Sequence, residues 1–158
     1  SFIVSKSFAM TGFRVGFATG PVHLIELMTK CVENVYSAVA TPSQYAALVA
    51  FDKGMEAMMA MKKEYKKRRD FLVSRINEMD KISCIMPKGA FYVFANIKKT
   101  GLSAEEFAER LLEKEHVAVI PGSNFSKNAS GYVRISYGTS MEKIEDGLNR
   151  MERFLKSL

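Results

Sequence analysis

The sequence predicts an α+β fold, a few-stranded sheet flanked by helices. Three observations carry that prediction. Apolar residues recur at helical spacing as far as Met79 and then give way to short β-rich runs. Three segments, opening at Thr41, Ser103 and Thr139, have the form of a helix-capping box. A final stretch from Met141 places Met141, Ile144, Leu148, Met151 and Leu155 on one helical face.

Composition narrows the class further. The chain has 158 residues, 47% hydrophobic and 25% charged, which is ordinary for a globular protein and excludes intrinsic disorder. Ten glycines and four prolines exclude collagen-like and low-complexity chains. No apolar run approaches the roughly 20 residues that span a bilayer, so no membrane partner is expected. Ser1 to Ser7 lacks the charged and apolar regions of a secretory signal. Cys31 and Cys84 stand far apart and outside any metal-ligand spacing. They are expected to be free thiols in a reducing compartment, the cytoplasm. A net charge of +6 is too mild to argue for nucleic acid.

The elements follow in order. Phe2–Val4 and Val15–Ala18 read as strands around a loop from Ser5 to Arg14. Pro21 opens a helix whose apolar positions are Leu24, Ile25, Met28, Cys31, Val32 and Val35. Thr41-Pro42-Ser43-Gln44 reads as a capping box for a helix ending near Lys53, before Gly54. Met55 to Met79 reads as one long amphipathic helix with Lys62, Lys63, Lys66, Lys67, Arg68 and Arg69 on its solvated side. Strands are expected at Ile82–Met86, Ala90–Ile97, Val117–Ile120 and Tyr132–Tyr137, with Pro87-Lys88-Gly89 as a turn. Ser103-Ala104-Glu105-Glu106 opens a helix to about Glu115, and Thr139-Ser140-Met141-Glu142 opens the last. Residues 55–158 form the expected sheet-bearing domain. Residues 1–54 read as a different layer, the edge of something larger, with a soft boundary at the long helix. The chain opens without Met inside a strand-like run, which suggests the C-terminal piece of a longer protein.

Three side chains could carry chemistry. Lys6 follows an apolar strand, where desolvation disfavours the ammonium and yields an amine able to condense with an aldehyde. A surface lysine at a strand end is the simpler reading of the spacing alone. Arg14 lies between Gly12 and Gly16, where a guanidinium could hold a phosphate by paired hydrogen bonds. An arginine capping a sheet edge is the plainer alternative. Arg134 shares a strand face with Tyr132 and Ser136, opposite Val133, Ile135 and Tyr137. It suits either solvent or a bidentate carboxylate. The basic run from Lys62 to Arg69 is explained by a solvated helix face without any nucleic acid, and His23 and His116 lack metal-ligand spacing.

Together these segments resemble a known family. Ser5-Lys6-Ser7-Phe8-Ala9-Met10-Thr11-Gly12-Phe13-Arg14-Val15-Gly16-Phe17 resembles the pyridoxal-phosphate attachment segment of the class I/II, fold-type I aminotransferases related to aspartate aminotransferase. The resemblance continues through Pro87-Lys88-Gly89-Ala90-Phe91-Tyr92 and Val119-Ile120-Pro121-Gly122-Ser123-Asn124-Phe125 to Tyr132-Val133-Arg134-Ile135-Ser136-Tyr137, in that order. It implies the small C-terminal domain of such an enzyme plus an edge of the large α/β domain.

It also implies roles. Lys6 matches the lysine that binds pyridoxal 5'-phosphate covalently and moves the proton. Arg14 matches the phosphate-binding arginine, with Ser5 beside the cofactor. Arg134 matches the arginine that grips the substrate α-carboxylate. The implied reaction is transamination between an L-amino acid and a 2-oxo acid, in a homodimer as the full-length protein. The isolated chain is expected to be inactive, because the family's upstream half carries further cofactor contacts. Ile3 stands where the family often has a phosphate-binding Ser. Val35 to Pro42 lacks the arginine of the animal and enterobacterial aspartate-specific type, which fits the broader bacterial subgroup instead. Two alternatives share the fold: a pyridoxal-phosphate-sensing module of a transcriptional regulator, and a related lyase or synthase.

Overall fold

The structure is a computed structural model that describes residues 2–158, with side chains from residue 4 onward. Ser1 and the side chain of Ile3, which stands where the family often has a phosphate-binding Ser, lie outside the described part. The chain divides into two compact units, residues 1–62 and 63–158.

In the first unit, β1 (Phe2–Ile3) pairs antiparallel with β2 (Gly16–Phe17), Phe2 opposite Phe17 and Ile3 opposite Gly16. The expected first strand ends early: Val4–Ser7 is a single helical turn, α1. Its anchor is apolar. Val4 and Met10 are buried with Ala47 of α3 (Thr41–Lys53), and Phe8, Val15 and Ala50 close around them. Phe51 of α3 meets Phe8 edge-on at 5.4 Å and Phe17 at 5.5 Å. Ordering the turn for this contact takes the chain out of the extended state one residue after Ile3.

Two expected start signals in this unit shift. Pro21 is the cap of α2 (Val22–Val35), not its first residue. Thr41 lies inside α3, whose cap is Ala40 with no side-chain hydrogen bond. Gln44 Nε2 instead donates to the Val39 carbonyl at 2.8 Å. The helix therefore starts on Pro42's preset φ and not on a hydroxyl cap. The apolar face of α2 forms as spaced, yet none of its residues is buried within the described structure.

In the second unit, four antiparallel strands lie in the order β3-β4-β6-β5. They are β3 (Ser83–Cys84), β4 (Tyr92–Asn96), β5 (Ile120–Pro121) and β6 (Tyr132–Ser136). The central β4–β6 pair runs five residues, from Tyr92 opposite Ser136 to Asn96 opposite Tyr132. Alternation along these strands buries Val93, Ala95, Val133 and Ile135 on one face. That face is covered by the later turns of α4 (Met55–Glu78), α5 (Ala104–Glu115) and α6 (Met141–Lys156). Leu72, Val73 and Ile76 come from α4, Phe107 and Leu111 from α5, and Ile144, Leu148, Met151 and Phe154 from α6. The rings of Phe107 and Phe154 meet edge-to-face at 5.3 Å.

Strands β4 and β5 are shorter than expected, for local reasons. Ala90 has φ 62°, a left-handed conformation that no strand accommodates, so β4 begins at Tyr92. His116, at φ 55°, ends α5 in the same region and delays β5 to Ile120. Ser103 caps α5 by accepting from the Glu106 amide. Ser140, one residue later than the expected Thr139, caps α6 by accepting from Lys143 N. On the basic side of α4, Lys62, Lys63, Lys66 and Lys67 are exposed as expected, while Arg68 and Arg69 are half-buried and ion-paired. Lys66 and Arg69 both reach Asp70 at 2.7 Å, and Arg68 reaches Glu64 at 3.1 Å. The Lys66 and Arg69 bonds hold the Asp70 carboxyl below its usual range. Among the described residues, no helix is long and apolar enough to cross a membrane.

Two outcomes follow from this packing. Phe154→Ala removes a fully buried ring and is expected to cost about 3–5 kcal/mol in urea denaturation. Burial pushes the Cys84 thiol from 9.0 up to about 11, while Cys31 is exposed. Maleimide labelling at pH 8 should modify Cys31 well before Cys84. The unfolded chain ionises this thiol nearer pH 9, so stability should fall between pH 9 and about 11. Cys84→Ala should flatten that fall.

Candidate functional site

The first site segment runs between β1 and β2, whose ladder closes its two ends. Burial of Val4, Ser5 and Met10 turns one side of the segment inward and leaves Lys6 and Ser7 on the exposed side of α1. Lys6 therefore sits in an exposed helical turn, in line with the surface-lysine reading of the spacing, although on a helical turn and not at a strand end. Ser5 is 6% exposed. The Thr11–Phe13 turn follows, and Arg14 ends it at φ 51°. Arg14 Nη1 donates to the Thr11 carbonyl at 3.0 Å, and the residue makes no ion pair among the described residues. A Cβ on Gly12 would meet open space, so this glycine is not needed for packing within the chain.

Ala9 and Arg14 both hold positive φ, 54° and 51°. Such conformations cost on the order of 1 kcal/mol each and persist where the surroundings fix them. They turn the chain twice within six residues and bring it back to β2. A buried hydroxyl, an amine and a guanidinium thus share one closed loop. This donor set suits a small anion bearing a carbonyl: the amine can attack the carbonyl and the guanidinium can take the anion.

The second segment lies on the sheet face away from the helices. Arg134 is central on β6, opposite Phe94 on β4 and Ile120 on β5. Its guanidinium lies over Tyr92, 4.3 Å from the ring centre, and over Phe125 at 4.4 Å. Phe125 in turn meets Phe94 edge-on at 5.7 Å. Among the described residues Arg134 makes no ion pair. The sequence reading includes both rings in the segments that carry the resemblance but gives neither a role. Tyr92 has the strand parity that would have suggested it, since it lies diagonal to Arg134 on the same face. Phe125 comes from a loop, and no periodicity points to it.

Two turns border this face. Pro87–Ala90 is held at both ends: Arg69 Nη1 donates to the Pro87 carbonyl at 3.1 Å, and the Tyr137 hydroxyl donates to the Ala90 carbonyl at 2.9 Å. Burial pushes the Tyr137 phenol up, which keeps it a donor. Pro121–Phe125 is the other turn. Ser123 donates to Glu105 at the start of α5, which holds that carboxyl below its usual range. At Gly122 a Cβ would run into the Ala129 carbonyl and come within 2.7 Å of the Tyr132 carbonyl.

Comparisons with known proteins show the family. The sequence profile of the class I and II aminotransferases matches residues 4–151, and the chain belongs to that family. It is 48% identical over 154 residues to an aspartate aminotransferase of Pyrococcus horikoshii, covering 96% of this chain and 39% of that protein. It is 44% identical to aromatic-amino-acid aminotransferase 2 of Thermococcus litoralis, with the same coverage. The crystal structure of an aromatic aminotransferase from Pyrococcus horikoshii matches with TM-score 0.93 and 46% identity, covering 98% of this chain and 41% of that one. The chain thus spans about two fifths of the length of such relatives. The neighbouring structures are fold-type I enzymes, in line with the expected α+β class.

Gly122→Ala is expected to destabilise by about 1–3 kcal/mol or more, because two fixed carbonyls occupy the space. Thermal unfolding of the variant beside Gly12→Ala, where the space is open, measures the difference.

Proposed function

We propose that this chain supplies the lysine segment and C-terminal domain of a pyridoxal-phosphate-dependent aminotransferase, which exchanges an amino group between an L-amino acid and a 2-oxo acid. The observation that carries the reading is the loop closed by β1 and β2, which gathers Ser5, Lys6 and Arg14 within ten residues. Its donors match the two ends of the cofactor, an aldehyde and a phosphate. When bound, the cofactor supplies an electron sink for the electrons released at the substrate α-carbon. Lys6 Nζ would hold the cofactor at its aldehyde carbon, the carbonyl oxygen leaving as water, and would carry the transferred proton. Arg14 orients the phosphate through its fork, and Ser5 flanks the same group. Arg134 takes the substrate carboxylate along the open edge of its guanidinium. The active enzyme includes the further length seen in the relatives and works as a cytoplasmic homodimer, whereas the 158 residues alone are inactive.

The test is a pyridoxal-phosphate titration followed by borohydride reduction and peptide mapping. An adduct confined to Lys6 and lost in Lys6→Ala supports the reading. Arg14→Gln should weaken cofactor binding by about tenfold or more, the range of a lost charged hydrogen bond. Labelling scattered over surface lysines and unaffected by Lys6→Ala counts against a working site in this chain. Glutamate formation from 2-oxoglutarate in the longer enzyme then separates transamination from elimination chemistry.

A further inference from the structure

The Arg134 guanidinium carbon lies 4.3 Å from the centre of the Tyr92 ring and 4.4 Å from that of Phe125, and among the described residues it makes no ion pair. A guanidinium has five N–H donors, all in its plane. Rings that pack on the guanidinium carbon take none of those donors as hydrogen-bond acceptors would. They also restrict rotation about the side chain's own bonds, which for arginine is a large source of entropy lost on binding. An arginine held this way meets a carboxylate with its fork already oriented.

The rings are themselves supported. Tyr92 is fixed by its place on β4 and by Phe91, 4.4 Å away between ring centres. Phe91 stacks on Tyr65 of α4 at 5.8 Å, and its carbonyl accepts from Tyr137 N at 3.0 Å. Phe125 is tied back by its amide to the Gly122 carbonyl at 2.9 Å and braced by Phe94. One ring therefore belongs to the sheet and the other to the Pro121–Phe125 turn. The position of Gly122, where no side chain fits, sets where the second ring stands.

We propose that Tyr92 and Phe125 are positioning residues that clamp the Arg134 guanidinium and present its edge to a single carboxylate in one orientation. The proposal rests on the carboxylate role of Arg134 given above. It assigns the clamp to the ring faces, so the Tyr92 hydroxyl is dispensable.

The test follows the Arg134 Nε–Hε signal by 15N NMR in the longer enzyme, with 2-oxoglutarate as the titrated probe. The variants are Tyr92→Phe, Tyr92→Leu, Phe125→Leu and Arg134→Gln, each checked for an unchanged set of β4 and β6 amide signals. Before any probe is added, the Arg134 Hε signal should lie upfield of free arginine through the ring currents. It should move toward the free position in either Leu variant and stay put in Tyr92→Phe. Probe affinity should fall about tenfold in each Leu variant, the upper range of a ring-over-guanidinium contact. It should be unchanged in Tyr92→Phe and lost in Arg134→Gln. Full affinity in both Leu variants, with loss in Arg134→Gln, overturns the clamp and leaves the carboxylate role standing. Full affinity in Arg134→Gln, or no binding to the longer wild-type enzyme, overturns the carboxylate role and the clamp with it. Because Phe125 lies on the half-exposed face, Phe125→Leu keeps the test sound should Tyr92→Leu disturb the sheet.

Discussion

The five-residue ladder between β4 and β6 is the constraint on which the sheet-bearing unit rests. It is the longest pairing in the sheet, and it fixes which side chains face the helices. A slip of one residue would send Val133 and Ile135 to the outer face and Arg134 into the core. Burying an unpaired guanidinium among Leu72, Phe107 and Phe154 is prohibitive. The hydrophobic pattern that builds the core therefore also places the arginine. Packing and site geometry are two results of a single register.

The two site segments are built differently. Arg134 sits mid-strand with partners on both sides, so its position is as firm as the sheet. Lys6 and Arg14 sit on a short loop whose firmness comes from a few apolar contacts with α3 and from a two-residue ladder. The loop is irregular, with two left-handed residues that are not glycine. The rigid element carries the group that receives an anion in a fixed plane. The looser element carries the amine, whose reach is set by a long flexible side chain.

Much of this is legible in the sequence, and the exceptions have causes. Alternation in Tyr132–Tyr137 reads correctly because each inward residue is large and apolar and each outward one is polar or amphipathic. The six-residue rhythm survives even though the ladder ends at Ser136, since Tyr137 remains buried. The helices of the second unit are legible from caps and from their apolar faces. The reading fails where one residue adopts a conformation its chemistry does not advertise. Ala90 and His116 at positive φ shorten two strands, and neither is Gly or Asn. It fails at Val4–Ser7 because a tertiary contact with Ala47 overrides a β-branched run. The rings beside Arg134 are illegible for another reason: one of them arrives from a turn, through contacts that no local pattern encodes.

The ends of the sheet are each only two residues long. At one end Asn77 takes both backbone groups of Cys84, donating to its carbonyl at 3.1 Å and accepting from its amide at 2.8 Å. At the other end Pro121 has no amide hydrogen to offer. Neither margin presents the row of open donors and acceptors that lets sheets of separate molecules join. The chain also carries exposed Leu24, Met28, Leu48 and Ile85. Apolar surface of that kind favours association, but the capped margins deny it the route of strand-by-strand growth into fibres. Association of this chain would then proceed through its apolar surface and not by the addition of strands.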